Sequence, residues 1–390
     1  MLDFVRGRTS QTEQKPNRLV FLWENFGPMH VDRCEAVAEC FAGGCEIIGL
    51  ELASGSHTYA WPPTQSEIFR KLTLFPNTTL DNVPLSRRLA RLLKAAWSIG
   101  SADFFVCHYE TPEIFFTALA LRLFGRRVFV MNDSKFDDKQ RRIWRELMKS
   151  FALIPYNGAI AAGARSSDYM RFIHFKPDRI AVGYDTLSIA RIRKLAAVDP
   201  APNGAPFASR HFTIIARFVP KKNLSTALVA YSLYVQKTKS PRPLHLCGSG
   251  ELEAALNEQV EVLGLQGLVF FRGFLSAQEI AGTLANTLAL LLVSKEEQFG
   301  LAVIEAQAMG VPVIYTRACG ARDELLRSGV NGFLVEANNP PGIAYFMTLI
   351  ASDEPLWRKL AKGTLESAYR GDVGRFVEGV EQLRSLGKQH

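Results

Sequence analysis

Short apolar runs alternate with longer amphipathic stretches along the whole chain. This alternation predicts β-strands separated by helices, in parallel sheets that helices cover. In the first half, the predicted strands lie at residues 18–23, 45–50, 103–107, 127–131, 159–162 and 179–182. In the second half, they lie at residues 212–216, 244–247, 268–271, 288–293, 311–315 and 333–335. The pattern therefore predicts an α/β fold with two doubly wound, Rossmann-like domains.

A segment rich in Pro, Ala and Gly separates the two series of strands. Residues 196–209 read AAVDPAPNGAPFAS, a composition typical of an interdomain linker. We therefore predict a first domain over 1–195, a second over 210–365, and a C-terminal helix within 366–390 that returns to the first domain. Ligands of such sheets bind beyond the carboxyl ends of the strands, so the two domains should face a central cleft.

The net charge is concentrated in the first half of the chain. Residues 1–195 carry 27 Lys and Arg against 20 Asp and Glu, whereas residues 196–390 carry 19 against 18. The excess lies mainly at 70–71, 87–94 and 122–149. It indicates an anionic partner, such as a membrane surface, a diphospholipid or nucleic acid, or else a solvated basic face.

The apolar runs are shorter than the roughly 18 residues of a transmembrane helix. The first residues lack the long apolar run of a signal peptide, so we expect none. These features predict a cytoplasmic protein that docks peripherally on the inner face of the cytoplasmic membrane. A nucleic-acid partner is disfavoured, because the aromatic residues fall largely at core spacing rather than among the basic ones.

The segment 294–310, SKEEQFGLAVIEAQAMG, combines an acidic loop with the start of a helix. Gly300 leaves room for a ligand to approach the backbone, and the helix that begins near Leu301 offers amides to a diphosphate. Glu297 precedes the helix, and Glu305 lies about one turn inside it. A sugar nucleotide has hydroxyl groups on both sides of its phosphates, so this pair of carboxylates suits it.

The second half resembles the nucleotide-binding domain of retaining glycosyltransferases of family 4, which have the two-domain GT-B fold. The E-x7-E motif of that family is matched by Glu297 and Glu305, within EQFGLAVIEAQAMGVPVI. The segments 319–324 (CGARDE) and 329–335 (GVNGFLV) match its next two elements. The resemblance implies that Glu297 contacts the transferred sugar and that Glu305 contacts the ribose.

Further matches to this family lie upstream. The segment ARFVPKKN resembles the Arg-x4-Lys element, giving Arg217 and Lys222 as the cations that stabilise the leaving diphosphate, although Lys221 is adjacent. The segment LHLCGSGELEAAL resembles the glycine-rich turn, with Gly248 and Gly250. In FRGF, Phe274 is either a contact for the base or a core residue.

The first half matches the family more sparsely. In ADFFVCHYETP, His108 corresponds to the histidine beside the sugar, which makes it a catalytic candidate. In VMNDSKFDDK, Asn132, Asp133 and Ser134 follow a strand and could reach the cleft.

The chain also departs from the family in its first half. Relatives often have two glycines in the first loop, whereas ENFGPMHVDR has only Gly27, so His30 and Arg33 become candidates on the acceptor side. Gly183-Tyr184-Asp185 stands where relatives often have N-G-V-D.

The resemblance implies a retaining transfer of a hexose from a sugar nucleotide, such as a UDP- or GDP-hexose, with no cofactor. The chain has no D-x-D triplet, so we expect no metal site. By analogy with the family, the acceptor is a lipid-linked oligosaccharide or another glycan of the envelope, lipopolysaccharide or exopolysaccharide. The alternatives are a nucleotide-sugar epimerase, which needs no basic first domain, and a non-enzymic bilobed sugar-binding protein, which has no use for Arg217 and Lys222.

Overall fold

The computed structural model describes residues 17–56, 61, 64–138 and 140–386. The first residues, on which the expectation of no signal peptide rests, lie outside the described residues. The strands are β1 (Arg18–Trp23), β2 (Glu46–Gly55), β3 (Arg70–Thr79), β4 (Asp103–Val106), β5 (Arg127–Asn132), β6 (Gly158–Ala161), β7 (Ile180–Val182), β8 (His211–Ile215), β9 (Leu244–Cys247), β10 (Val269–Gly273), β11 (Thr287–Leu292), β12 (Val313–Thr316) and β13 (Gly332–Val335). The helices are α1 (Pro28–Cys40), α2 (Leu85–Ile99), α3 (Pro112–Leu123), α4 (Ile143–Ala152), α5 (Ala164–Ile173), α6 (Ile189–Ala196), α7 (Leu224–Lys237), α8 (Glu253–Val262), α9 (Ala277–Ala285), α10 (Leu301–Ala308), α11 (Arg322–Leu325), α12 (Pro340–Ser352), α13 (Glu354–Ser367) and α14 (Gly374–Ser385).

The described strands form two parallel sheets. The first has seven strands in the order β3-β2-β1-β4-β5-β6-β7, and the second has six in the order β10-β9-β8-β11-β12-β13. The predicted α/β fold with two doubly wound domains is therefore confirmed. Each predicted strand overlaps an observed one, but the prediction missed β3. This edge strand reads RKLTLFPNTT and is mostly exposed or half-buried, so it lacks the apolar run by which the others were recognised.

Both faces of the first sheet are covered, because the strands near its centre are apolar on both sides. Val20 and Leu22 of β1 pack into one hydrophobic cluster, whereas Leu19 and Phe21 pack into another on the opposite face. On the second face, the ring of Phe21 stacks on Phe105 of β4 at a centroid distance of 5.1 Å. Strands that are buried on both faces show a continuous apolar run, which explains why the pattern located β1 so well.

The chain passes from the first domain to the second before α6. Ile189 and Ile192 of this helix belong to the same hydrophobic cluster as Leu284 and Leu290 of the second domain. The predicted boundary at residue 195 therefore falls later than the passage itself. The predicted linker, 196–209, also packs on the second domain, because the buried Ala201 donates its amide to the carbonyl oxygen of Met309 (2.9 Å).

Helix α14 packs on the first domain, whereas α13 packs in the core of the second. Phe376, Val380 and Leu383 of α14 join the cluster formed by the strands of the first sheet. A buried charge network ties the end of the helix to this sheet. The carboxylate of Asp103 accepts hydrogen bonds from Arg127 (2.5 and 2.8 Å) and lies 3.4 Å from Nε of Arg384.

We expect Asp103→Ala to lower the free energy of unfolding by about 3 kcal/mol, because it removes the carboxylate that two largely buried guanidinium groups share. Asp168→Ala is the matched control, since its ion pair with Arg171 is exposed and should contribute at most about 1 kcal/mol. Urea unfolding monitored by tryptophan fluorescence measures both changes. Equal losses in the two variants would contradict the proposed role of this network.

Candidate functional site

The carboxyl ends of the two sheets face each other. After β6 of the first domain, Arg165 donates from its guanidinium to the carbonyl oxygen of Cys319, which follows β12 of the second (3.2 Å). Beside it, the amide of Ala164 donates to Oε1 of Glu324 (2.7 Å). The matched segment 319–324 is therefore one part of the second domain that contacts the first, whereas 329–335 includes the edge strand β13. Loops that follow the strands of both domains line the cleft between them.

Gly300 turns the acidic loop after β11 into helix α10. Its backbone is left-handed (φ 105°, ψ 67°), a conformation that favours glycine. A side chain there would also approach Leu292, since a Cβ would lie 3.1 Å from its Cδ2. Leu301, the first helical residue, is half-buried. The glycine thus exposes the amino end of α10 in the cleft, where its amides can bind an anion.

Lys222 and Glu297 form an ion pair beside this helix. Nζ of Lys222 lies 2.5 Å from Oε2 of Glu297, and the hydroxyl of Ser294 donates to the same oxygen (3.0 Å). The two loops are also joined through the backbone, because the amide of Lys295 donates to the carbonyl oxygen of Lys221 (2.8 Å). Of the two adjacent lysines, Lys222 is the one paired with Glu297 among the described residues.

The glycine-rich turn supports the loop that carries Arg217. Gly248 has φ 138°, and a Cβ there would lie 1.9 Å from the carbonyl oxygen of Ala216. At Gly250, a Cβ would lie 2.6 Å from the carbonyl oxygen of Phe218, whose amide donates to the carbonyl oxygen of Ser249 (2.8 Å). These glycines allow two loops to pack backbone against backbone. The arrangement leaves Arg217 exposed beyond the end of β8.

Glu305 lies on the second turn of α10, where it is half-buried. Burial raises the pKa of its carboxyl to about 7; the nearby cation of Arg191 partly opposes this rise, and the charge of Asp32 adds to it. Arg191 of α6 and Asp32 of α1 form their own ion pair, with Nε 2.5 Å from Oδ1. The sequence analysis missed both residues, because they lie far from α10 along the chain and match no motif.

Phe274 follows the end of β10 and is 57% exposed. This exposure excludes the core-packing alternative for this residue. The aromatic ring stands beyond the carboxyl end of an edge strand, where a flat ligand could stack on it.

On the first-domain side, His108 follows β4 and is exposed. Its backbone is left-handed (φ 58°), and its carbonyl oxygen accepts a hydrogen bond from the amide of Thr111 (2.9 Å). The charge of His108 influences the pKa of the Asp133 carboxyl. Burial raises the pKa of Asp133, and the charges of His108 and Arg33 partly oppose that rise. His108 and Asp133 thus follow neighbouring parallel strands, β4 and β5.

Gly27 and His30 have internal roles, contrary to their predicted place on the acceptor side. The amide of Gly27 donates to Nδ1 of His30 (2.9 Å), which closes the amino end of α1. The His30 ring is buried against Trp23 at a centroid distance of 4.5 Å, and burial holds its pKa well below the usual value. A Cβ at Gly27 would lie 2.7 Å from the ring of Trp61, so a larger residue does not fit at this position.

Asn132 and Arg33 are likewise committed to internal contacts. The side-chain amide of Asn132 donates to the carbonyl oxygen of Ser134 (3.0 Å) and to Oγ of Ser166 (3.1 Å). The guanidinium of Arg33 pairs with Asp185 (3.2 Å). Polar residues near strand ends had suggested ligand contacts, but here they fix the loops that follow the strands. Asp185, in the segment where relatives often have N-G-V-D, likewise makes an internal contact through its ion pair with Arg33.

Across the part of the chain that the structure describes, no three His, Cys, Asp or Glu side chains converge as metal ligands. Within the same residues, none of the helices combines the length and hydropathy that a membrane span requires.

The second domain is similar to a known protein family. Residues 199–366 match the family model described as "Glycosyl transferases group 1". Over 155 residues the chain is 32% identical to N-acetyl-alpha-D-glucosaminyl L-malate synthase of Bacillus anthracis, covering 40% of this chain and 39% of that protein. Over 184 residues it is 29% identical to the lipopolysaccharide core biosynthesis glycosyltransferase LpsE of Rhizobium meliloti, covering 47% of this chain and 50% of that protein. The matched segment thus spans half or less of the length of these relatives.

The whole fold resembles those of solved glycosyltransferases. Sucrose-phosphate synthase from Thermosynechococcus elongatus has a TM-score of 0.72 at 16% identity, over 95% of this chain and 99% of that one. Anabaena Alr3699/HepE, in complex with UDP and glucose, has a TM-score of 0.69 at 17% identity, over 95% and 100%. Residues 199–366 therefore resemble the glycosyl transferases group 1 family, within a chain whose two domains have the GT-B fold.

Proposed function

We propose that this chain is a retaining, metal-independent glycosyltransferase that moves a hexose from a nucleoside-diphosphate sugar to a lipid-linked glycan acceptor. The observation that carries the proposal is the ion pair of Lys222 and Glu297 beside the amino end of α10. It holds a cation and a carboxylate where a phosphate and a sugar hydroxyl would meet. The family match of the second domain and the relatives named as glycosyltransferases support the same activity.

The donor would lie along the second domain. Its diphosphate would bind at the amino end of α10, with Arg217 and Lys222 on the leaving oxygen and Glu297 on the hexose hydroxyls. The ribose would bind near Glu305, and the base would stack on Phe274. The complex of a solved structural relative with UDP and glucose is consistent with this class of donor.

The transfer would break the bond between the anomeric carbon and the β-phosphate oxygen. The acceptor oxygen would form its bond to the same face of the anomeric carbon, and its proton would pass to a β-phosphate oxygen. The negative charge that builds on the diphosphate would be stabilised by Arg217 and Lys222, so that no metal is needed. His108, across the cleft, would contact the hexose as it departs.

The acceptor would enter from the first domain. The net positive charge of residues 1–195 suits a diphosphate-linked lipid at an anionic membrane surface. The similarity to a lipopolysaccharide core glycosyltransferase supports a glycan of the bacterial envelope. No nucleic acid and no cofactor is part of the proposal.

A transfer assay tests the activity directly. Purified protein should transfer hexose from UDP- or GDP-hexose to a lipid-diphosphate-linked oligosaccharide, with full activity in EDTA. NMR of the product should show the anomeric configuration of the donor. An inverted product would contradict the retaining mechanism, and a strict requirement for added Mg²⁺ or Mn²⁺ would contradict metal independence.

The adjacent lysines offer a matched pair of variants. Lys222→Ala should lower kcat on the order of 100-fold, because it removes a charge that stabilises the leaving diphosphate. Lys221→Ala should change kcat by about twofold or less, since it is Lys222 that pairs with Glu297. Steady-state kinetics with a saturating donor measures both. Equal losses would show that the register of the Arg-x4-Lys element is wrong.

The raised pKa of Glu305 predicts that the free energy of unfolding changes with pH. Its carboxyl has a pKa of about 7 when folded, against roughly 4.3 when unfolded. Between these values the folded state retains a proton that the unfolded state loses, so rising pH reduces stability there. Relative to Glu305→Gln, the wild-type protein should lose about 3 kcal/mol between pH 4.5 and 7.5. Urea unfolding at several pH values measures the difference, and a constant difference would contradict the raised pKa.

A further inference from the structure

Helix α4 turns its apolar side chains towards solvent. Five of its ten residues, and one residue just after it, are large apolar side chains that are between 55% and 91% exposed. They are Ile143, Trp144, Leu147, Met148, Phe151 and Ile154. Their spacing of three and four residues makes them one continuous stripe along the helix.

The inner face of α4 is polar, which is the reverse of an ordinary surface helix. Glu146 is the buried residue of the helix, and its carboxylate accepts a hydrogen bond from the hydroxyl of Tyr169 on α5 (2.5 Å). Arg141 and Lys149 each place a nitrogen 3.5 Å from the same carboxylate. Charged contacts therefore hold the helix in place, and the apolar stripe has no role in the core of the domain.

Basic side chains border the apolar stripe. Arg142 and Arg145 are exposed, and the guanidinium of Arg145 lies 5.2 Å from the ring centroid of Trp144. Between residues 141 and 149 the chain carries four Lys and Arg against one Glu. A second exposed apolar pair, Phe136 and Phe172, lies close by with ring centroids 5.4 Å apart. Arg141 connects it to α4 by donating to the carbonyl oxygen of Phe136 (2.7 Å).

We propose that α4, together with Phe136 and Phe172, is a docking surface that inserts into the interface of an anionic lipid bilayer. An apolar stripe bordered by Lys and Arg matches the hydrophobic and charged layers of such an interface. A second copy of the chain suits the surface less, because pairing would bring two positively charged borders together.

Docking of α4 on the bilayer adds a membrane-binding surface to the proposed function, and it rests on the proposed lipid-linked acceptor. Asp133 begins the connection from β5 to α4, and β5 pairs with β4, the strand that His108 follows. A helix held in the bilayer interface would thus keep the acceptor side of the cleft at the lipid surface.

Two of the three arginines of α2, a helix that the sequence also marked as basic, are less suited to this role. Arg88 pairs with the buried carboxylate of Glu113 (2.7 Å), and the guanidinium of Arg91 lies 5.1 Å from the ring centroid of Phe75. Both side chains are thus engaged within the domain, whereas those of Arg142 and Arg145 border an exposed apolar face.

Vesicle sedimentation with the full chain tests the proposal. The wild-type protein should bind vesicles of phosphatidylglycerol and phosphatidylcholine, and should bind pure phosphatidylcholine at least tenfold more weakly. Ile143→Glu with Leu147→Glu should weaken binding to the anionic vesicles at least 20-fold, and Arg142→Glu with Arg145→Glu at least tenfold. The matched control, Val262→Glu with Tyr345→Glu, alters exposed apolar residues of the second domain and should stay within twofold of the wild type.

Trp144 provides a second readout on the same vesicles. Its burial in the interface should shift tryptophan emission to shorter wavelength, and Trp144→Phe should remove that shift. Unchanged binding by the Ile143 and Leu147 variant would overturn the proposal. So would a wild-type dimer that this variant disperses, because the surface would then bind a second copy.

Hydrolysis of sugar nucleotide without vesicles separates this proposal from the proposed function. The α4 variants should hydrolyse the donor like the wild type, which also shows that they fold. If none of the proteins, including the wild type, uses a sugar nucleotide while vesicle binding follows the expected pattern, the activity is wrong and the docking surface stands.

Discussion

The parallel pairing of the strands determines where the chemistry of this protein can lie. Because all paired strands of a sheet run the same way, the loops that follow them collect at one edge. The edges of the two sheets face each other, with Arg165 of one domain bonded to the backbone of Cys319 in the other. Residues more than a hundred positions apart therefore meet in one cleft. The passage before α6 and the return through α14 hold the two domains in this arrangement.

Within the cleft, electrostatics distinguish two regions along α10. At its amino end, Lys222 and Glu297 form an ion pair in which both side chains are largely buried. A bound sugar nucleotide would supply a phosphate for the cation and hydroxyl groups for the carboxylate. One turn further along, Glu305 lies beside the ion pair of Arg191 and Asp32. Since Asp32 lies on α1, the charge of a first-domain residue adds to the rise that burial causes in the pKa of Glu305.

The sequence predicted the positions of strands most accurately where a single physical requirement determines which residues can occur. A strand buried on both faces must be apolar throughout, so β1 and β11 were located almost to the residue. Edge strand β3 has no such requirement and was missed. Motif spacing singled out Lys222 and Glu297 separately, but it did not predict that the two form an ion pair. The burial of His30 and Asn132 was not predictable, since a polar side chain near a strand end can cap a loop as well as bind a ligand.

The orientation of α4 was not predictable either. Periodicity shows that a helix has an apolar face, but it does not show whether that face packs on the core or lies towards solvent.

The most direct test of this account is a crystal structure of the protein with an intact UDP- or GDP-hexose. We predict that the diphosphate binds at the amino end of α10, with a β-phosphate oxygen within hydrogen-bonding distance of Nζ of Lys222. The hexose should contact Glu297 and present its anomeric carbon to the first domain beside His108. A donor bound elsewhere, or one whose phosphates lie away from α10 while Lys222 stays paired with Glu297, would contradict the account.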